Sequence, residues 1–448
     1  MRLRPAGSLT RAERRGGHGR ASVPSTISSS AVTMSVGAPE AMRETRFANG
    51  VHVLTERIPG VRSTAVGVWV RQGSAHESHD DSGISHVLEH MVFKGTRRRS
   101  ALEIADALEA LGGSLDAYTS REHTSYQARV LDEHLPVALD VLADLVLAPR
   151  LEQADLELER EVILEEIAQV EDTPDDLVFE LHAEQLWRGH PYGRSILGSK
   201  ESVSDMRADT LRALHADRYV ANNLVVAAAG SVDHDDFVER VAAYFGSVPA
   251  GERTPLVELP PASARGVANV TRSGSQTHIV FGTEAPGHAH PDRHALILLS
   301  AALGGGMSSR LFQRVREELG LCYSVFTYQS FYRTAGLTGV YVGTRPATAD
   351  DAAEAVREEL DRAARDGLSA DDLQRIKQQV KGQVMLSLES TGARLHRLAS
   401  SALHDEPFVG LDGLLGRIDA VNEDDVRRVA ARSFDPSKHL ELRLGPDH

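Results

Sequence analysis

Two histidines four residues apart, His86 and His90, stand in the segment DDSGISHVLEHMVFKGT, with Glu89 directly before the second. On an α-helix that spacing is close to one turn. Both imidazoles then leave the same face, where two ring nitrogens can share a metal ion and Glu89 lies within reach of a water beside it. A catalytic zinc needs a third protein ligand and an open position. The acid-rich run LELEREVILEEIAQVEDTPDD supplies candidates. Glu159 and Glu166 are seven residues apart, two turns, and share a face, whereas Glu161 and Glu165 point elsewhere. An acid-rich helix is more often a solvated face than a source of ligands, so the residues alone leave the third ligand open.

Several elements must position these side chains. The acids and Ser82 ahead of the histidines suit a helix start, and Gly95 suits its stop. Alternating patterns predict strands over 51–57, 64–71, 114–120, 125–131 and 223–229, with helices over 133–146, 153–170, 174–187 and from His234. The proline-rich stretch SVPAGERTPLVELPPASARG then interrupts the pattern. Beyond it the order repeats: strands over 266–271 and 278–282, helices over 291–303 and 308–319, strands over 323–331 and 337–343, then more helices. The expected fold is α+β, with two homologous domains, each a mainly antiparallel sheet with helices packed on one face. The expected boundaries are a zinc-bearing domain over 42–248, a linker over 249–265 and a second domain without the motif over 266–448. Residues 1–41, rich in Arg, Ser and Gly, read as a disordered tail or as sequence upstream of the true start; their composition also resembles a mitochondrial transit peptide.

Composition narrows the function. A chain of 448 residues with 41% hydrophobic residues is long enough for more than one core. The longest apolar runs, near Leu224–Ala229 and Ala295–Leu303, fall far short of a membrane-spanning helix. The single cysteine, Cys322, excludes an internal disulfide framework and any Cys-rich metal site. A net charge of −15 argues against a general nucleic-acid binder and is compatible with cationic partners.

HVLEHMVFKGT followed by Glu166, 76 positions after His90, resembles the inverzincin peptidases of the pitrilysin and mitochondrial-processing-peptidase family, family M16. Further resemblances in the same order are NGVHVLTE, DAYTSREHTSYQARVL, EDTPDD, HPYGRSILG, YVANNLVVAAAG and GGGMSSRLFQRVREELGLCYSV. The chain length resembles the short-chain subfamily. Carried over, the resemblance implies zinc held by His86, His90 and Glu166, with Glu89 as general base and Glu159 as an acid behind the ligands. It also implies that Arg316 and Tyr323 approach the scissile peptide, and that Ala117, Tyr118, Thr119 and Ser120 form an edge strand that receives substrate. Asp116 stands where family members often carry Asn.

The second half has one histidine, His294, in the corresponding helix and cannot hold a second such zinc. Gly304–Gly306 has no following Lys-Ser or Lys-Thr, which leaves a hinge or substrate-contacting loop rather than a phosphate cradle. The Arg97–Arg99 run is expected to be solvated, and His76, His79, His123 and His190 to be surface or packing residues. The resemblance implies a zinc endopeptidase acting on extended peptides. In the long-chain relatives the zinc lies in the first quarter and the Arg and Tyr segment in the last, so two short chains would pair, here as a homodimer. The rivals are a non-catalytic subunit of the same fold, like the core proteins of the respiratory complex, and a partner in peptide maturation. A cytoplasmic bacterial location is expected, or the mitochondrial matrix if residues 1–41 are a transit peptide.

Overall fold

Alternation of apolar and polar residues places the strands of the first sheet, and its valines show where the core lies. The computed structural model describes residues 41–446. The first half contains β1 (Ala41–Arg46), β2 (His52–Arg57), β3 (Ser63–Val70), α1 (Ile84–Val92), α2 (Ala101–Glu109), β4 (Ser114–Thr119), β5 (Thr124–Leu131), α3 (Leu135–Leu147), α4 (Gln153–Asp172), α5 (Pro174–Leu186), α6 (Lys200–Asp205), α7 (Ala208–Arg218), β6 (Leu224–Gly230) and α8 (His234–Phe245). The second half contains β7 (Gly266–Thr271), β8 (Thr277–Ala285), α9 (Arg293–Gly304), a π-helix (Phe312–Glu318), β9 (Cys322–Phe331) and β10 (Gly336–Thr344). It ends with α10 (Ala349–Asp366), α11 (Ala370–Ser387), α12 (Thr391–Leu403), α13 (Leu411–Ala420), α14 (Glu423–Ser433) and β11 (Leu440–Gly445).

Two sheets result, ordered β1-β2-β6-β3-β5-β4 and β7-β11-β8-β10-β9. Within them β2 pairs with β6 in parallel and β7 with β11 in parallel, and every other pair is antiparallel. Apart from β1 the two orders match strand for strand, which is the repeat expected from the sequence. Both sheets are mainly antiparallel, as expected.

One face of the first sheet packs Val66, Val68, Tyr126 and Val226 against Val87, Leu88, Leu139 and Leu142 of α1 and α3. Its other face is covered as well: Leu54, Trp69, Val225 and Ala227 pack against Leu395, Leu398 and Ala402 of α12, a helix of the second half. The exchange is reciprocal. Val280, Tyr341, Leu442 and Leu444 on the outer face of the second sheet pack against Val178 of α5, a helix of the first half. Each half thus buries a helix of the other, and the proline-rich segment between them is packed too, with Val257 buried beside Trp187 and Leu440.

The structure adds elements that the patterning missed. The sheet begins at Ala41, earlier than the regular pattern at Arg46, because β1 is an edge strand whose residues Met42–Arg46 include no buried side chain. The tail expected over 1–41 otherwise lies outside the described residues. The helix expected over 308–319 is a π-helix over Phe312–Glu318. Arg98 and Arg99 are not simply solvated: both pair with Asp140, and Arg99 reaches the buried Asp144 at 2.6 Å, so a local charge run is neutralised by a helix distant in sequence. Among the described residues no helix is long and apolar enough to cross a membrane.

Candidate metal centre

Helix α1 begins at a glycine that no other residue could replace without strain. Gly83 has φ +91°, and a Cβ there would lie 2.6 Å from the Leu197 carbonyl oxygen. Gly83, and not the expected Ser82, is therefore the N-cap, and it has no side chain with which to cap the helix. Glu77 supplies the cap from six residues upstream. Its two oxygens accept from the backbone N–H groups of Gly83 and Ser85, both at 2.8 Å.

Burial pushes the Glu77 carboxyl up to about 7, outweighing the two backbone bonds that favour its charged form. A folded value above the unfolded one of 4.5 means that the native chain holds this proton more tightly. The resulting stabilisation is complete below 4.5 and is lost as pH rises through about 7. For the metal-free chain, the unfolding free energy of wild type minus that of Glu77→Gln should fall by about 3 kcal/mol between pH 4.5 and 7.5. Parallel denaturation curves across that range would remove Glu77 as the source.

One turn of α1 presents His86 and His90 with ring centroids 4.5 Å apart. Opposite them α4 presents Glu166, whose Oε2 is 3.6 Å from Nε2 of both histidines. These three side chains form a group whose ligand atoms all lie within 4.8 Å of one another. Ligand atoms bonded at about 2.0–2.1 Å to a tetrahedral zinc lie roughly 3.3 Å apart, so the separations suit such an ion better than direct hydrogen bonds. His86 adds an independent sign: its buried Nδ1 has no hydrogen-bond partner, so no hydrogen bond from either ring nitrogen accounts for its placement. Burial, helped by His90, pushes its pKa down to about 4, which keeps the ring neutral and its lone pair available. Two imidazoles, one carboxylate and no thiolate are a donor set that zinc accepts.

Around this group stand further residues singled out from the sequence. Glu159, 5% exposed, places Oε1 2.9 Å from His90 Nδ1 and pairs through Oε2 with Lys94. Glu161 and Glu165 are exposed, as their helical phase requires. Glu89 accepts a 2.6 Å hydrogen bond from the Thr119 hydroxyl, and burial raises its pKa. That bond ties the residue beside the histidines to the end of β4, one of the two edge strands of the first sheet. Along β4, Ala117 and Thr119 are half-buried and Tyr118 more exposed, its ring 6.0 Å from that of His396 on α12. Ser120 lies just past the strand, and its hydroxyl is engaged by the His123 carbonyl.

Arg316 and Tyr323 lie together but apart from these residues. The Arg316 guanidinium sits between two rings, 4.6 Å from the centroid of Phe312 and 5.0 Å from that of Tyr323. Tyr323 is 78% exposed and lines a cavity of about 620 Å³ with Asp176, Phe179, Phe326 and Tyr341. Among the described residues no hydrogen bond, ion pair or ring contact joins either residue to His86, Glu89, His90 or Glu166. Sequence reasoning missed Glu77 and Lys94. The first carries no signal before the glycine cap is seen, and the second stands in the quoted FKGT run without a role.

Residues 52–200 match the family described as insulinase (peptidase family M16), and residues 205–380 match the peptidase M16 inactive domain. An uncharacterized zinc protease of Streptomyces coelicolor is 42% identical over 398 residues, covering 87% of this chain and 86% of its own. Another, of Bacillus subtilis, is 39% identical over 394 residues, covering 88% and 96%. Among solved structures, a peptidase M16 inactive domain from Pseudomonas fluorescens superposes with a TM-score of 0.86 at 20% identity, over 91% of this chain and 99% of that one. A protease from Helicobacter pylori gives 0.83 at 22% identity, over 91% and 100%. At such identities these two likenesses speak for the fold alone.

Proposed function

The chain belongs to peptidase family M16, and from that premise we propose that it is a zinc endopeptidase that hydrolyses extended peptides, with His86, His90 and Glu166 as zinc ligands and Glu89 as general base. The observation that carries this reading is the convergence of three ligand atoms within 4.8 Å of one another on facing helices. Zinc bound there supplies Lewis acidity, polarising the scissile carbonyl and lowering the pKa of water to about 7.

The remaining steps fall to the chain's own residues. Glu89 takes the proton of the attacking water and returns it to the leaving nitrogen, and burial raises its affinity for that proton. The Thr119 hydroxyl holds the Glu89 carboxylate in place from the end of β4. Among the described residues no strand pairs with the outer side of β4, which can take an extended substrate as an added strand and bring its backbone alongside that carboxylate. Arg316 and Tyr323 would bind the substrate backbone from a second copy of the chain in a homodimer. A purely structural subunit would have no use for Glu89 beside a complete ligand set, which favours the peptidase reading over that rival.

Elemental analysis tests the ligands. Wild type should carry about one zinc per chain, and His90→Ala should lose it. Stoichiometric zinc retained by the His86→Ala/His90→Ala double variant would sink the assignment.

A further inference from the structure

We propose that Lys94 is a positioning residue of the metal centre, acting through Glu159 on His90; the inference rests on the zinc reading above. Glu159 is a buried carboxylate on α4, and its two oxygens are divided. Oε1 meets His90 Nδ1 at 2.9 Å, and Oε2 pairs with the Lys94 ammonium. Lys94 lies four residues after His90, in the turn just past the end of α1, so the helix end and that turn clasp a carboxylate of α4 with two side chains.

The backbone holds Lys94 in this role. Its N–H donates to the Met91 carbonyl at 3.2 Å, and its own carbonyl accepts from the Arg150 guanidinium at 2.8 Å. Immediately after it the chain turns at Gly95, φ +133°, where a Cβ would lie 2.4 Å from the same guanidinium. The lysine is thus fixed at the point where the helix stops.

Two consequences follow from the chemistry of the groups. A carboxylate oxygen only accepts, so Nδ1 of His90 is the donor, and Nε2 keeps its lone pair on the side of Glu166. A buried carboxylate bound through one oxygen alone would leave the other unsatisfied, and Lys94 meets that need. The pairing also ties α1 to α4 one turn from His90, and so helps to set the separation between His90 and Glu166.

The test measures zinc affinity by competition with a chromophoric chelator, for the full chain and for Lys94→Met, Lys94→Arg, Glu159→Gln and the Lys94→Met/Glu159→Gln double variant. Lys94→Met should bind zinc about tenfold more weakly. Lys94→Arg, which keeps a cation, should recover most of that loss. The double variant should bind no more weakly than Glu159→Gln, because Lys94 acts through Glu159. The metal-free Lys94→Met chain should still fold, with a melting temperature lowered by the buried Glu159 oxygen left without its partner. Wild-type zinc affinity in Lys94→Met, no recovery in Lys94→Arg, or losses that add in the double variant each overturn the proposal. A wild-type chain that binds no zinc fails the functional reading instead, and the two failures are told apart by that control.

Discussion

Glu89→Gln is expected to lower peptide turnover by a factor on the order of 100 or more while zinc content stays at the wild-type level. Glutamine keeps the shape of the side chain and an oxygen that can accept the Thr119 hydroxyl, whose bond to Glu89 is 2.6 Å long. What it loses is the ability to take a proton. Because the three converging side-chain atoms belong to His86, His90 and Glu166, the substitution leaves the candidate metal-binding group intact. The loss should therefore appear in kcat, with substrate binding little changed. Turnover at the wild-type rate in a Glu89→Gln preparation with full zinc would take Glu89 out of the reaction. Loss of zinc along with activity would instead make it a ligand or a structural support.

How much of this was legible in the sequence depended on distance along the chain. The pair His86 and His90 could be read directly, since a spacing of four on a helix is a local fact. Glu166 could be narrowed to a face shared with Glu159, but only resemblance chose between the two. The structure gives the physical distinction: the ring nitrogens on the Glu166 side lie 3.6 Å from its carboxylate, whereas Glu159 meets Nδ1 of His90 at 2.9 Å. The repeat of strand orders was visible in the alternation, but the exchange of α5 and α12 between the halves was not. A helix such as α5, with Leu177, Val178, Leu181 and Leu186 spread around its axis, does not say which sheet it will cover. Charged residues misled most. Arg98 and Arg99 read as a solvated run, and Lys94 carried no reading at all, because their partners lie on helices 40 to 65 positions away.

The separation of Arg316 and Tyr323 from the histidine cluster leads to an expected result for mixed variants. If the protein is a homodimer in which Arg316 and Tyr323 of one chain complete the zinc site of the other, Glu89→Gln and Tyr323→Phe should each be weak alone. Tyr323→Phe removes only a hydroxyl, and the ring that faces the Arg316 guanidinium at 5.0 Å remains, so the local packing is preserved. After the two variants exchange subunits, a heterodimer has one site with both defects and one site with neither. Equal random exchange gives about half heterodimers, each with one intact site of two, so activity should recover to roughly a quarter of wild type. Native mass spectrometry reports whether exchange has occurred. An exchanged mixture no more active than the average of its parents would show that the sites are not shared, and that Tyr323 acts within its own chain or not at all.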